Sequence, residues 1–345
     1  MKIVADKNVP FLEGVFEPYA EVVYMKGEDI LRDDLMDADA MIIRTRTKCN
    51  EELLEGTKVR MIATATIGLD HIDLDYCRAK GIEVHNAEGC NAGGVLQYVF
   101  SALYGVAARK SIKLDDFTFG IIGVGHVGSL VEKMARYLGF KVLLCDPPRA
   151  AAEGDEKFCS LEHLLANSQI VTLHVPLDET TRNMANADFF AMMPTGSIFI
   201  NASRGEVVDE EALMLTIPKF GAVVIDTWNN EPDINEELVE MVDIATPHIA
   251  GYSYQGKLNG TAASVQAVAR HFGIEQLYEF YPQEQGDEDR SPVLLDLKGK
   301  KQGEVAAVFQ YNYPIFTDDF RFRMEPHNFE KMRSNYQYRR EIYVE

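Results

Sequence analysis

The sequence lacks any long apolar run. No stretch reaches the roughly 18 consecutive apolar residues that span a bilayer, so we expect no membrane partner. The first ten residues, MKIVADKNVP, contain no apolar segment followed by a small-residue cleavage site. We therefore expect no signal peptide and a cytoplasmic location.

Cysteine pairs and metal-binding patterns are also missing. The five cysteines are odd in number and form no CxxC pair, which predicts reduced thiols instead of a disulfide framework. The eight histidines include no HExxH motif and no close His/Cys cluster. The sequence therefore predicts no metal site.

Basic residues are in deficit. The chain has 34 Lys and Arg against 54 Asp and Glu, a net charge of −20, which argues against a nucleic-acid partner because phosphates need cations. An anionic substrate would need a local basic pocket against this background. With 345 residues, 46% of them hydrophobic, the chain is expected to be a globular protein of two or three domains.

Short apolar runs alternate with helical segments over most of the chain. Up to about residue 90 the predicted strands are MKIVAD, EVVYM, DAMIIRT, RMIATAT and IEVHN, with helices at 27–38 and 50–56. After a helix at 92–110, a second series contains TFGIIGVG, KVLLCDPP, QIVTLHVP, SIFINAS, AVVIDTW and VDIATPH. Two doubly wound α/β domains with parallel sheets are expected.

The last ninety residues differ in character. An amphipathic helix is predicted at 255–273, where the chain returns to the first domain, and a polar linker follows at about 282–292. The tail, 293–345, contains apolar pieces that look like strands, an aromatic-rich segment and a basic helix-like stretch at 327–340. These pieces are PVLLDLKG, VAAVFQYNY and FRFRM.

One glycine-rich segment follows an apolar strand and opens an amphipathic helix, as a dinucleotide-binding turn does. The first glycine permits a tight turn, the second lets a pyrophosphate approach the backbone, and the third allows close helix–strand packing. Free N–H groups and the helix dipole then favour the phosphates. The segment is Gly123-Val124-Gly125-His126-Val127-Gly128.

An acidic residue ends the next predicted strand. Asp146 can accept hydrogen bonds from ribose hydroxyls and would repel the 2′-phosphate of NADP, so NAD is the predicted cofactor. The nearby Arg149 leaves open a contact with a phosphate at this position.

Three segments at predicted strand ends supply groups for oxidising a 2-hydroxy acid. NASRGEVVD contains Arg204, DTWNNEP contains Asp226 and Glu231, and TPHIAGYS contains His248. A histidine can take the hydroxyl proton, a carboxylate can fix its tautomer, and an arginine can grip the substrate carboxylate. Each residue alone is more often an ordinary loop residue, but their joint occurrence after a cofactor turn favours catalysis.

These motifs, together with TIGLDHID and PHIAG, carry a family likeness. Over about 40–275 the sequence resembles the D-2-hydroxyacid dehydrogenases, and for one member the likeness includes the tail segment FEKMRSNYQYRREI. The resemblance implies a Rossmann-type NAD-binding domain, 92–254, inserted into a flavodoxin-like α/β substrate-binding domain made of 1–91 and 255–282. It also implies a small α+β C-terminal dimerisation domain, 286–345, and hence a homodimer.

The resemblance further implies roles for individual residues. Arg204, Glu231 and His248 are expected to be catalytic, with His248 the proton donor in the reductive direction. Besides Gly123, Gly125 and Gly128, the expected cofactor contacts are His126, Val127, Asp146, Val175, Ala202, Ser203, Arg204, Asp226 and Gly251. The expected substrate contacts are Thr45, Thr66 and Tyr252.

The substrate implied is a small phosphorylated 2-hydroxy acid. Arg44, Arg46 and Lys257 are candidates for its phosphate, although each could be an ordinary surface charge. Strand alternation would place Arg44 and Arg46 on the same side of the chain. Two alternatives stay open, a dehydrogenase of another 2-hydroxy acid and an NADH-sensing binding protein of the same fold.

Overall fold

The computed structural model of the protein describes residues 1–283 and 290–344. The chain divides into two compact units, one made of Met1–Asn91 with Ser253–Ser291 and the other of Ala92–Tyr252 with Pro292–Glu345. The C-terminal residues thus group with the predicted cofactor-binding region. That residues 286–345 form a domain of their own stays a prediction, and residues 286–289 and 345 lie outside the described part.

Each strand predicted in the first ninety residues contains an observed strand, whereas the helices between them are short. Two of these helices begin at side-chain caps, because the carboxamide of Asn50 accepts from Leu53 N and the carboxylate of Asp73 accepts from Tyr76 N. The elements are β1 (Lys2–Asp6), β2 (Glu21–Met25), α1 (Arg32–Leu35), β3 (Ala40–Ile43), α2 (Glu51–Leu54), β4 (Met61–Thr64), α3 (Leu74–Lys80) and β5 (Glu83–Asn86).

Residues 92–252 contain the second series of strands, and every predicted strand is present. The elements are α4 (Ala92–Arg109), β6 (Thr118–Ile122), α5 (His126–Tyr137), β7 (Lys141–Cys145), α6 (Pro147–Glu153), α7 (Leu161–Asn167), β8 (Ile170–Leu173), α8 (Ala187–Met192), β9 (Ile198–Asn201), α9 (Glu210–Thr216), β10 (Ala222–Ile225), α10 (Glu236–Met241) and β11 (Ile244–Ala245).

Both sheets are parallel. The first unit has the order β2-β1-β3-β4-β5, which is the flavodoxin-like arrangement that the family resemblance implies. The second unit has the order β11-β10-β9-β8-β6-β7. Strand β6 has β7 on one side and β8 on the other, so the glycine turn that follows β6 lies at the topological switch point, where α/β sheets bind ligands.

The long helix after Tyr252 returns to the first unit. Helix α11 (Tyr254–Phe272) places Val265, Val268 and Ala269 in the core that also contains residues of β1, β3 and β4. This confirms the amphipathic helix expected at 255–273. No helix in residues 1–283 and 290–344 is both long and apolar enough to cross a membrane.

The C-terminal residues contain more helix than the sequence predicts. Their elements are β12 (Val293–Leu295), α12 (Gln302–Asn312), α13 (Ile315–Met324), α14 (Phe329–Ser334) and β13 (Ile342–Val344), and β12 pairs in parallel with β13. The strand expected for VAAVFQYNY is wrong, because this run forms most of α12. FRFRM lies in α13, and the helix-like stretch expected at 327–340 is helical only up to Ser334, as the end of a 3₁₀ helix (Pro326–Asn328) followed by α14.

Packing on α4 explains the helical state of VAAVFQYNY. Phe309 of α12 stacks on Phe100 and Tyr104 of α4, with ring centroids 6.1 and 5.7 Å apart. A short apolar run is compatible with strand or helix when judged by sequence alone, and this long-range contact selects the helix.

Candidate active site

The glycine turn leaves open space in front of helix α5. Gly123 has a φ of +83°, and a side chain there would meet the carbonyl oxygen of His174, 2.5 Å from its Cβ. A side chain at Gly128 would overlap the carbonyl of Gly123, whereas a Cβ at Gly125 would meet no atom of residues 1–283 and 290–344 within 4 Å. Gly125 caps α5 without a side-chain acceptor, so backbone N–H groups at this helix end suit a pyrophosphate.

Asp146 joins the turn to the end of β7. Its Oδ2 accepts from Val124 N at 2.7 Å, and its Oδ1 accepts from Arg149 N at 3.0 Å. The guanidinium of Arg149 donates to both carboxylate oxygens of Glu153, at 2.6 and 2.8 Å, and to Val124 O. Because Arg149 is held by Glu153, the site fits the ribose of NAD better than a 2′-phosphate.

His248 and Glu231 form a short contact in the second unit. His248 Nδ1 lies 2.7 Å from Glu231 Oε2, and Glu231 Oε1 accepts from Trp228 N at 2.9 Å. Burial alone would raise the pKa of Glu231. The charges of His248 and Arg333 and the hydrogen bonds outweigh burial and hold this pKa below its usual value.

The backbone of His248 is fixed from behind by Asp226. His248 has a φ of +54°, a conformation that non-glycine residues rarely adopt, and its N–H donates to the carbonyl oxygens of Asp226 and Thr246. The carboxylate of Asp226 accepts from Thr246 Oγ1 at 2.6 Å and from the N–H groups of Ile249 and Ala250 at 2.9 Å. Asp226 is buried, and burial raises its pKa.

Arg204 follows β9 in a loop that packs on the loop leading to Glu231. Asn201 orders the Arg204 loop, since its amide donates to Arg204 O at 3.0 Å and its Oδ1 accepts from Ser203 Oγ at 2.8 Å. A side chain at Gly205 would overlap the backbone of Trp228. The indole N–H of Trp228 donates to the carbonyl of Thr246 at 2.8 Å, so one residue links all three predicted segments.

The other residues predicted for the second unit lie on the same loops. Val175 packs at the glycine turn, close to Gly123, and His126 is exposed at the start of α5. Ala202 and Ser203 precede Arg204. Gly251 and Tyr252 follow the His248 loop, and Tyr252 N donates to Ile249 O at 2.8 Å. Their contacts with cofactor and substrate stay predictions.

Arg44, Thr45 and Arg46 belong to the first unit. Strand β3 ends at Ile43, so these residues lie in a turn and strand alternation does not govern them, contrary to the expectation from sequence. Arg44 Nε lies 3.0 Å from Oδ2 of the fully buried Asp6. Thr45 is exposed, and Arg46 lines a cavity of about 590 Å³.

Thr66 and Lys257 are the remaining predicted residues of the first unit. Thr66 Oγ1 lies 2.7 Å from Thr64 Oγ1 at the end of β4, and Thr66 O accepts from Ala87 N. Lys257 lies in the first turn of α11, half-buried, with its N–H donating to Ser253 O. Both occupy ordered positions, and their contacts with a substrate stay predictions.

Comparison with known proteins identifies the family. Residues 103–250 match the family described as D-isomer specific 2-hydroxyacid dehydrogenase, NAD binding domain. Erythronate-4-phosphate dehydrogenase of Bacteroides thetaiotaomicron is 45% identical to the chain, and the match covers 99% of the chain and 97% of that protein. The chain belongs to the family of the erythronate-4-phosphate dehydrogenases. The same enzyme of Yersinia pestis strain Pestoides F is 41% identical, over 99% and 93% of the two chains.

Solved structures agree with this family membership. NAD⁺-bound 3-phosphoglycerate dehydrogenase of Entamoeba histolytica has a TM-score of 0.67 and 28% identity, covering 82% of this chain and 99% of that one. D-Lactate dehydrogenase of Aquifex aeolicus, with NAD and lactic acid, has a TM-score of 0.63 and 26% identity, covering 83% and 100%. These comparisons confirm the predicted fold, the family resemblance and NAD as the cofactor of this dehydrogenase.

Three residues at the site were not predicted from the sequence. Trp228 links the loops. It lies within the motif DTWNNEP, so the motif could have pointed to it. Glu210 accepts from Asn229 N at 2.9 Å, and burial raises its pKa. Arg333 Nη1 lies 4.0 Å from Glu231 Oε2, although Arg333 is distant in sequence and gives no local signal.

Proposed function

We propose that this dehydrogenase oxidises 4-phospho-D-erythronate to (R)-3-hydroxy-2-oxo-4-phosphooxybutanoate with NAD, in pyridoxal 5′-phosphate (vitamin B6) biosynthesis. The observation that carries the proposal is the 2.7 Å contact between His248 Nδ1 and Glu231 Oε2, in loops that also hold Arg204. The names of the relatives with 41–45% identity over almost the whole chain supply the substrate.

The contact with Glu231 assigns the tautomer of His248. With its proton on Nδ1 and donated to the carboxylate, the neutral ring keeps the lone pair of Nε2 to accept the C2 hydroxyl proton. The carboxylate then stabilises the imidazolium that forms. In the reverse direction the same nitrogen returns the proton, so His248 is the proton donor of the reductive reaction.

Arg204 is assigned to the substrate carboxylate, which a guanidinium can grip through two parallel hydrogen bonds. The glycine turn and Asp146 are assigned to the cofactor, and NAD supplies the acceptor for the hydride that leaves C2. Tyr252 is proposed as a substrate contact from the second unit. The proposed substrate contacts of the first unit are Arg44, Thr45, Arg46, Thr66 and Lys257.

A substrate panel tests the proposal. The full-length protein is assayed with 4-phosphoerythronate, erythronate, glycerate, lactate and 3-phosphoglycerate, each with NAD and with NADP. The expected result is the highest kcat/KM for 4-phosphoerythronate with NAD. A higher kcat/KM for another acid would assign the protein to that substrate. Inactivity on every acid, with retained NADH binding, would support a sensing role instead.

We also propose that the protein is a cytoplasmic homodimer without nucleic-acid or membrane partners. None of the five cysteines, all of which lie in the described residues, forms a disulfide, which suits a reducing compartment. The net charge of −20 disfavours phosphate backbones. In the C-terminal part of the chain, Phe320 and Met324 lie one turn apart on α13 and are each 65% exposed, an apolar surface that a second copy would cover.

A further inference from the structure

Helix α14 brings the C-terminal part of the chain to the catalytic pair. Phe329, at its start, is buried in the same core as Phe322 and Trp228. One turn later, Arg333 Nη1 lies 4.0 Å from Glu231 Oε2. This is the same carboxylate oxygen that His248 Nδ1 contacts at 2.7 Å, so two cationic groups face one oxygen.

Arg333 is enclosed but poorly paired. Its side chain is 12% exposed, Nη1 lies 3.4 Å from Glu330 Oε1, and Nε is buried without a hydrogen-bond partner among residues 1–283 and 290–344. Its guanidinium carbon lies 5.6 Å from the ring centroid of Phe329 and 5.8 Å from that of Tyr252. A desolvated arginine with such long ion pairs is a weak source of stability, so stability alone does not account for its position.

Tyr252 is surrounded by side chains of the same C-terminal region. The rings of Tyr336 and Tyr338 lie 6.1 and 6.2 Å from it at steep angles, and Arg333 lies over its face. The orientation of this proposed substrate contact therefore depends on three residues that follow α13.

We propose that Arg333 is a positioning residue that weakens the pull of Glu231 on the His248 proton and holds the ring of Tyr252 in place. The contact itself is independent of the substrate, whereas its meaning for turnover rests on the proposed function. A cation beside Glu231 Oε2 offsets part of its negative charge, so the imidazolium is stabilised less. More of the enzyme then carries the neutral His248 that the oxidation requires.

Other charged groups also face His248 and Glu231, and the substitution of Arg333 leaves them unchanged. Asp226, after β10, interacts electrostatically with His248, and Glu210 of α9 interacts with Glu231. On α14 itself the charged residue next to Arg333 is Glu330. Lys331, on the same helix, is exposed and offers a matched control for the loss of one positive charge.

The direct test is an NMR titration of the histidine side chains in the ligand-free, full-length protein, with His248→Asn used to assign the signal. In Arg333→Met the signal of His248 should titrate at higher pH than in the wild type, the direction expected when one nearby positive charge is lost. Arg333→Lys, which keeps the charge, should restore most of the difference, and Lys331→Met should resemble the wild type. An unchanged pKa in a folded Arg333→Met protein overturns the proposal.

A second variant covers the case in which Arg333→Met does not fold. Glu330→Gln removes the other carboxylate near Arg333, so the guanidinium should act more strongly on Glu231 and the pKa of His248 should fall. An unchanged or raised pKa in Glu330→Gln overturns the proposal.

Turnover separates this proposal from the proposed function. In Arg333→Met the acid limb of kcat/KM for oxidation should move to higher pH together with the NMR titration, and KM should rise because Tyr252 loses its support. If Arg333→Met shows the NMR shift but the wild type does not oxidise 4-phosphoerythronate, the proposed function fails and the role of Arg333 stands. If the wild type oxidises 4-phosphoerythronate but Arg333→Met changes neither the NMR titration nor the pH profile of kcat/KM, the proposed function stands and the role of Arg333 fails.

Discussion

His248 is held by two acidic residues that do different work. Glu231 bonds to the ring at Nδ1, whereas Asp226 bonds to the backbone around it through Thr246, Ile249 and Ala250. Loss of Glu231 would leave the ring mobile and its tautomer unassigned. Loss of the Asp226 carboxylate would instead release the left-handed backbone conformation on which the ring position depends.

The first prediction concerns proton transfer. His248→Asn should lower kcat for oxidation by about 10²–10⁴-fold, the share usually supplied by a general acid–base group. His163→Asn is the matched control, because His163 is exposed on α7, and it should leave kcat unchanged. Steady-state kinetics with 4-phosphoerythronate and NAD measure both. Near-normal turnover of His248→Asn would show that another group moves the proton.

The second prediction concerns cofactor choice. Asp146 caps α6 as well as facing the glycine turn, so Asp146→Ser keeps a capping oxygen and removes the charge. The ratio of kcat/KM for NAD over NADP should fall. It should fall further in Asp146→Ser/Glu153→Gln, where Arg149 is released to meet a 2′-phosphate. An unaltered ratio in the double variant would contradict the role of Asp146.

The third prediction concerns the substrate phosphate. Arg44 is paired with the buried Asp6. Removal of Arg44 would leave the Asp6 carboxylate buried without this partner, so a loss of stability could be mistaken for a loss of substrate binding. Arg46→Ala leaves the pair of Arg44 and Asp6 in place. It should raise KM for 4-phosphoerythronate far more than KM for erythronate, because only the first substrate carries the phosphate. Lys58→Ala, at an exposed position outside the lining of the cavity that contains Arg46, is the control. Equal changes in KM for both substrates would show that Arg46 does not recognise the phosphate.

At the scale of the elements, local pattern predicted the strands and long-range packing decided the rest. The strands of both sheets are β-branched runs bounded by turn residues, and this information is local. Helix α12 was missed because its apolar residues acquire a face only against α4. Helix α14 is shorter than the basic stretch 327–340 suggested. Tyr336 lies beyond its end and packs on Tyr252 instead.

The site shows the same division. Arg204, Glu231 and His248 were predicted because each lies in a short motif at a strand end, and the strand order of the second sheet brings β9, β10 and β11 side by side. Arg333 approaches Glu231 from a helix about a hundred positions later in the chain. No periodicity or motif encodes that contact, so it could be found only in three dimensions.

The fourth prediction concerns the packing of the Arg204 loop on the loop that leads to Glu231. Gly205→Ala places a methyl group into the backbone of Trp228 and should cost at least about 2–3 kcal/mol of unfolding free energy, because backbone cannot move aside cheaply. Activity should fall with it, since Trp228 N holds Glu231. Gly303→Ala, where the added atom meets nothing within 4 Å in the described part of the chain, should be neutral or stabilising by up to about 1 kcal/mol. Chemical denaturation compares the two, and equal stability would contradict the close approach.

At the scale of the whole molecule, charge and apolar surface are unevenly distributed. Residues 292–345 contain nine basic and eight acidic residues, whereas the remainder contains 25 basic and 46 acidic ones. Among residues 1–283 and 290–344, thirteen large hydrophobic side chains are exposed, and five of them lie in this short region: Leu294, Tyr311, Phe320, Met324 and Tyr343. Two copies of a strongly acidic chain would meet here with little charge repulsion and with exposed apolar side chains to bury.

Removal of this region is a poor test of dimerisation. Phe309, Tyr313 and Ile342 belong to the core beneath α4, and Phe322 and Phe329 belong to the core around Trp228. Truncation would expose both cores of the second unit, and the resulting protein should aggregate whether or not the native chain is a dimer.

The fifth prediction therefore uses surface substitutions. Phe320→Glu/Met324→Glu introduces two charges on the exposed face of α13 and leaves the buried Phe322 in place. The full-length wild type should sediment as a dimer at micromolar concentration, and the double variant should sediment as a monomer that still binds NADH, because like charges would face each other across the symmetric contact. Leu215→Glu, on the 85% exposed Leu215 of α9, is the matched control and should remain a dimer. A wild-type monomer would refute the proposed homodimer, and a double variant that stays dimeric would place the interface away from α13.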